Sequence, residues 1–565
     1  MHVKNLYIFV FMIVIWVCPC NAQQRTIERI YISTDRDLYI AGEPIWLSLF
    51  CFNMSGESPS LSELSSVAYV ELRSNESLVS TAKLRIHRGR GSGRLALSPS
   101  IPTGNYRLIA YTKQMLNEDT LRYFDKVIPI YNTLSTNKMT EEVFLKEGDE
   151  SDFYEDHPNI HSSLIEVVHG TSLKTIPQGD SLPLSLSNKS GEAMTLNLSV
   201  ARVDVPPAQS SPSIQEFLTH NTFDRGAVTF KNIYIPEYEG EIIQGRLKDV
   251  DSASPKDNTV FLSAVGSGID IYASKVDAAT GEFAIYTNTL YGNREVVLEY
   301  PSAQEASFEL FDPFIKPLME PIPPLFLDRQ YRSFLEQRSF EMQVSHLFGI
   351  DTLYEKSTIQ EDLFSHNTPT VYMLDHYTRF PAMQDIMVEF ITEMRFRKVN
   401  NRSFLQILYE TDFGWRFSDL SLVVVDGIAI FDHERLLQYD PLKVRSVSIY
   451  TNRYIIGSDV FDGMAKFNTY TGNYPGLILG KNSLIIDFQG VQYPSRFTGN
   501  LKEADDNLPD IRSLLYWDPL VAFMPGESRE IVIKTPSISG TYAILVEGVT
   551  SGGRAVIHRS EFTVE

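Results

Sequence analysis

The run from Ser421 to Gly472, SLVVVDGIAIFDHERLLQYDPLKVRSVSIYTNRYIIGSDVFDGMAKFNTYTG, restricts the fold more than any other part of the chain. Leu422 to Val425 is an apolar, mostly β-branched run. Asp426-Gly427 is the dipeptide that most readily takes the positive φ angles of a tight hairpin turn, and Ile428 to Phe431 returns. Asp432 stands at the N-cap of a short helix through Glu434, Leu436 and Leu437, which Pro441 ends. Val444 to Tyr450 is the next strand, and Asp462-Gly463 reads as a turn. Upstream, Pro369 to Leu374 and Arg395 to Leu408 are expected as strands flanking a helix Met383 to Met394. Ile386, Met387, Phe390 and Ile391 share one face of that helix, so the unit is a mixed α/β sheet.

The elements VVVDGIAI, HERLLQYDP, VRSVSIY, IIGSDVFDG and AKFNTY, in this order, resemble the plug domain of TonB-dependent outer-membrane receptors. A receptor follows its plug with the many alternating strands of a membrane barrel, and too few residues come after Gly472 to build one. The plug-like unit, residues 366–500, is therefore expected to lack a barrel of its own.

A chain of 565 residues exceeds what one core can serve, so several domains are expected. The net charge of −21 argues against nucleic acid as a partner and fits an exported soluble protein. Residues 1–22 read as a secretory signal peptide: a basic Lys4, an apolar core from Leu6 to Val17, and small residues before Gln23. Lipid attachment at Cys18 or Cys20 is the alternative. Cleavage leaves Cys51 alone, so no internal disulfide is expected, and no further stretch is long and apolar enough to span a membrane.

Between residues 23 and 132, short alternating runs separated by turn signals such as Ala41-Gly42-Glu43-Pro44 have the spacing of a β-sandwich. YISTDRDLYIAGEPIWLSLF, with Thr34, Asp35, Tyr39, Gly42 and Glu43 at the matching positions, resembles the opening of a macroglobulin domain of the MG2 type. Those five residues are read as turn-forming and core residues, against the alternative of a binding role. Residues 133–160 are an acidic linker, and His157 within it and His161 just after it are weighed as a metal pair and set aside because Pro158 interrupts any helix that would align them.

Leu164 to His169, Ser181 to Ser187 and Thr195 to Val205 give three strands, too few for a closed core. The last sixty residues supply more, so 161–205 plus 507–565 are expected to form one split sandwich with everything between inserted into it. LPDIRSLLYWDPLVAF and the strands after it resemble a late macroglobulin domain. The CGEQ-type thioester motif of that family is absent, which excludes covalent protease trapping. Residues 206–235 are expected as a linker and 313–365 as a helical connector containing a surface helix Leu325 to His346. In residues 236–312, EIIQGRLKDVDSASPKDNTVFLSAV and VDAATGEFAIYT resemble a carboxypeptidase-regulatory-like β-sandwich.

Nucleophile elbows, phosphate loops, HExxH and CxxC pairs are absent. Asp426, Asp432, His433 and Glu434 gather carboxylates and an imidazole near a strand end, yet turn and cap roles account for the aspartates, and His433 reads as solvated on the first helical turn. Tyr377, Arg379 and Phe380 are read as packing onto the sheet, against a recognition patch. No catalytic, cofactor-binding or metal-binding residue is assigned.

The fold class expected is mainly β: several macroglobulin- or Ig-like sandwiches plus one small α/β plug-like domain. The order of modules resembles a family of exported Gram-negative proteins with plug-like domains and no barrel. That resemblance implies a non-catalytic protein of the periplasm or outer membrane that binds other proteins, an outer-membrane receptor among them, as an accessory to TonB-dependent uptake. The alternative is a thioester-less macroglobulin-like scaffold engaging proteases or peptides. The third reading is an enzyme with an unrecognised site.

Overall fold

Period-two alternation runs through most of the sequence, and the computed structural model is accordingly mainly β, with strands gathered into several sheets. It describes residues 26–118, 122–135, 142–146, 160–169, 175–204, 212–223, 234–249, 258–288, 290–302, 305–315, 320–349, 354–356, 368–399, 402–411, 413–497 and 510–565. The expected signal peptide and His157 lie outside these residues. Among the described residues no helix is long and apolar enough to cross a membrane.

The first body is one hydrogen-bonded path of strands in the order Glu28–Thr34, Pro44–Asn53, Arg90–Ala96, Leu78–His87, Val67–Arg73, Gly104–Tyr111, Phe124–Tyr131, Tyr39–Ile40. Ile32, Leu49, Tyr69, Leu108 and Ile128 from across that path share a single core, with Cys51 buried among them as a free thiol.

The strands of 164–202 close their core with borrowed ones. Ser181–Asn188 pairs with Ser528–Lys534, and Met194–Arg202 lies between Leu514–Phe523 and Gly540–Thr550. Leu182, Leu196 and Val200 meet Phe523, Ile544 and Phe562 in one apolar cluster.

A third core sits between two smaller sheets. One has the order Glu282–Tyr286, Ile242–Lys248, Ser307–Leu310, and the other Ile271–Lys275, Thr259–Ala264, Asn293–Glu299, Ser483–Gln489. The last strand corrects the expected 366–500 boundary: Leu484, Ile486 and Phe488 alternate inward against this core, so 483–489 completes the sheet of Asn293–Glu299 instead of a sheet within 366–500.

Residues 370–469 hold a mixed five-stranded sheet ordered Thr370–Met373, Val444–Ile456, Asp459–Thr469, Leu422–Val425, Ile428–Ile430, in which the 422–425 and 459–469 strands run parallel. The helix Met383–Glu389 buries Met383, Ile386 and Met387, and ends sooner than expected because Met394 already pairs with Ile407 as a strand residue. The single expected strand 395–408 is two, Met394–Val399 and Arg402–Thr411, joined by Gly414–Ser418 into a separate meander. Asp462-Gly463 is not a turn. The chain reverses at Gly457-Ser458, and Gly463, at φ +82°, falls where the register between the 444–456 and 459–469 strands slips, the signature of a bulge.

Three connectors carry structure that composition hid. Val143–Lys146, in the expected acidic linker, pairs in parallel with Leu325–Asp328 because Val143 and Leu325 bury against Leu38, Ile40 and Tyr131. Residues 325–328 are thus strand, and the helix begins at Arg332. In the expected linker 206–235, Ser213 and Glu216 exchange hydrogen bonds as a capping box for the helix Ile214–Phe223, whose Ile214 and Leu218 pack into the first core.

Candidate functional site

Two clusters of ionisable side chains emerge, one foreshadowed by the sequence and one not. The first builds on Asp432, His433 and Glu434, which line a cleft of about 490 Å³ together with Glu299 at the end of strand Asn293–Glu299. His433 is buried instead of solvated, because its Nδ1 accepts the Leu405 backbone N–H at 2.9 Å and Phe404 stands edge-on to its ring. That bond leaves the ring proton on Nε2, and burial pulls His433 down to about 4, so it is neutral at physiological pH. Asp432 Oδ1 accepts from Glu434 N at 3.3 Å, as expected of a cap, and Glu434 Oε1 accepts from Ser403 N at 3.2 Å.

Sequence spacing gave no sign of Glu299. Burial pushes its carboxyl up to about 7 against the pull of Arg435, whose Nη1 is 3.4 Å from Oε1. Glu299 Oε2 and the Ser483 hydroxyl are buried without hydrogen-bond partners. Gly480 keeps the space between these groups open: a Cβ there would lie 2.8 Å from Glu299 Oε1, 3.0 Å from Ser483 Oγ and 3.1 Å from Arg435 Nη1. The arrangement offers an acceptor of raised basicity, a hydroxyl and a guanidinium to a polar ligand. It lacks a hydroxyl hydrogen-bonded to a base, and the His433 Nδ1 lone pair is already spent on the backbone.

Asp426 stands apart from this cleft. At φ +46° it makes the hairpin turn, and its buried carboxylate accepts from Thr469 N at 2.8 Å and Tyr474 N at 2.7 Å, fixing the loop beyond the last strand. Tyr377 stacks on Phe390 with centroids 4.2 Å apart, Phe380 lies near the same ring, and Arg379 donates to the carbonyls of Pro441 and Val444. All three hold the unit together.

The second cluster forms where the first body, the split sandwich and the helix Arg332–Leu347 meet. Arg338, fully buried, donates to both oxygens of Glu43 at 2.8 and 2.9 Å and to Asp204 at 3.1 Å. Arg202 pairs with Glu341 at 2.6 Å, and Arg36 with Asp35 at 2.9 Å. Asp35 also accepts from Tyr39 and from Trp46 N, and Glu43 accepts from Ile40 N. Burial pushes Asp204 up to about 6 even with Arg338 and Arg36 opposing it. Of the matching residues, Glu43 therefore ties the first body to the helix Arg332–Leu347, while Asp35 and Tyr39 bond to each other and fix the turn within the first body. Among the described residues no group of three metal-ligating side chains is arranged to hold a cation.

No family model matches the sequence. No curated protein matches it either. Solved structures similar to it include an alpha-2-macroglobulin of Salmonella reacted with methylamine, at 8% identity over 95% of this chain and 39% of that one, TM-score 0.24. Another is the native conformation of Escherichia coli alpha-2-macroglobulin, at 8% identity over 96% and 40%, TM-score 0.24. The Escherichia coli adhesin FdeC aligns at 12% identity over 50% and 63%, TM-score 0.14. The chain spans about two-fifths of the length of the macroglobulins it aligns with.

Proposed function

We propose that this chain is a non-catalytic scaffold of the cell envelope that holds another protein by adding one of its segments to an open sheet edge. The observation that carries the reading is the strand Gly414–Ser418. Among the described residues it is bonded on one side only, to Arg402–Thr411, and it presents Trp415 at 54% exposure beside Phe413 at 88%. An unpaired edge supplies main-chain hydrogen bonds to an extended segment, and exposed aromatics supply the apolar anchors. The plug-like block upstream and downstream of this strand points to an outer-membrane receptor as the partner, and the leader at 1–22 to export.

The test is recovery from native envelopes by the tagged protein. A receptor barrel is expected with the wild type, and at least tenfold less of it with Trp415→Asp, whose exposed site leaves the melting temperature unchanged. Equal recovery by the two proteins overturns the reading. So does turnover of a peptide or glycan that Glu299→Gln abolishes.

A further inference from the structure

The hairpin between Leu78–His87 and Arg90–Ala96 turns at Arg88-Gly89, with φ of +49° and +73°. A two-residue turn with both φ angles positive suits Asn-Gly or Asp-Gly, so an arginine in its first place is held there at a cost. The turn is closely packed: a Cβ on Gly89 would lie 2.7 Å from Leu61 Cβ and 2.8 Å from the Cys51 carbonyl oxygen. His87, Arg88 and Arg90, with Arg85 just upstream, thereby line one cleft of about 860 Å³. It opens where the first body meets Thr195 and Leu520 of the split sandwich and Asn288 and Tyr291 of the third core's sandwich.

In a chain of net charge −21 this cleft has the opposite sign: its one lining carboxylate among the described residues, Glu239, is exposed. Arg90 is buried, yet it donates to neutral oxygens: Leu49 O and Ser48 Oγ at 3.2 Å, Thr195 Oγ1 at 2.6 Å, and Pro519 O. Burial pulls it down to about 9 against the field of Asp518. Arg85 donates to the backbone carbonyl of Glu239. Among the described residues no carboxylate forms an ion pair with any of the three arginines. A buried guanidinium without a counter-charge is costly, and an anion in the cleft supplies one.

Two further features narrow the ligand. The backbone beside the cleft is already paired, Arg85 with Val67, His87 with Arg90, Gly91 with Leu49, and Thr195 with both Ala522 and Val549, so an extended peptide finds no strand edge here. Tyr238, 59% exposed, and Tyr291, stacked on Tyr493 with centroids 4.8 Å apart, add aromatic faces to the lining. Guanidinium forks match the oxygens of a phosphate, and the volume falls within the ~300–1,000 Å³ of small-molecule sites. We propose that this cleft binds a phosphorylated saccharide, its phosphate held by Arg85, Arg88 and Arg90 and its sugar ring laid against Tyr238 and Tyr291. The site uses none of residues 413–418 and stands independently of the strand-edge reading.

The test titrates the full chain by calorimetry with glucose 6-phosphate, glucose and inorganic phosphate. In parallel, the chain is floated with phosphatidylcholine vesicles with and without lipid A, whose head is a phosphorylated disaccharide. Glucose 6-phosphate binding at least tenfold more tightly than glucose or phosphate supports a free ligand. Flotation that requires lipid A supports a lipid-borne one. Arg88→Asn gives the turn a residue it prefers and so keeps the fold. It is expected to weaken binding of either form at least tenfold, and Tyr238→Ala, on an exposed ring, severalfold. Equal binding by wild type and Arg88→Asn, phosphate alone binding as tightly as its sugar ester, or no binding of either phosphorylated sugar overturns the proposal.

Discussion

Arg338 shows most directly what a single side chain does here. Its guanidinium, closed off from solvent, is shared by Glu43 from the first body and Asp204 from the split sandwich. Removing one member of such a group leaves uncompensated buried charge, so Arg338→Met is expected to destabilise the protein by about 3–5 kcal/mol. Urea unfolding checks the figure, and adding Glu43→Gln and Asp204→Asn to the same variant should restore most of the loss. Glu299 and His433, on the same cleft, bend the pH dependence in opposite directions. Glu299 titrates near 7 folded and near 4.5 unfolded, so the folded state binds protons more tightly and the penalty of its charge is full above pH 7 and gone by 4.5. Glu299→Gln should therefore raise the unfolding midpoint at pH 8 and leave it unchanged at pH 4.5. His433 titrates near 4 folded against 6.5 unfolded, so the unfolded chain takes up the proton first and stability drains away as pH falls from 6.5 to 4. His433→Asn, which keeps an acceptor for Leu405 N–H, should flatten that acid limb in a series of thermal melts.

At the level of strands and turns, the bulge at Gly463 joins local conformation to packing. A Cβ at this position would lie 2.7 Å from Ile407 Cγ2 on the meander, and the backbone holds φ at +82°. Gly463→Ala is expected to cost about 1–3 kcal/mol, measured as a shift in denaturant midpoint. Features fixed by neighbours in sequence were legible beforehand. The Asp426-Gly427 turn needs only positive φ, the Asp432 cap needs only the next two residues, and the period-two runs announced most strands. The capping box at Ser213 and Glu216 is equally local, though it lies in a stretch whose composition reads as linker. Features fixed by distant partners were not legible. Nothing near His433 reveals that Leu405 will spend its Nδ1. Nothing near Glu299 reveals Arg435, and nothing near His161 reveals His558. The alternation of 483–489 says that this strand has an apolar face, not which core that face will cover.

For the molecule as a whole, the interleaving of 164–202 with 514–564 is the fact with the widest reach. Deleting 507–565 is expected to strip Leu182, Leu184 and Leu186 of the strands that cover them. Amide hydrogens of 181–188 should then exchange at the rate of an unfolded chain, while those of 422–425 in the five-stranded mixed sheet stay protected. Full protection of 181–188 in the truncated protein would show that these strands fold without their distant partners. The same interleaving dictates an order of events as the polypeptide leaves the ribosome. Arg202 ends the early strands and Leu514 begins the late ones, so the intervening stretch must be translated first. At ~5–20 residues per second, that wait is roughly a quarter-minute to a minute. Throughout it the newborn strands offer bare hydrophobic edges to any passing chain.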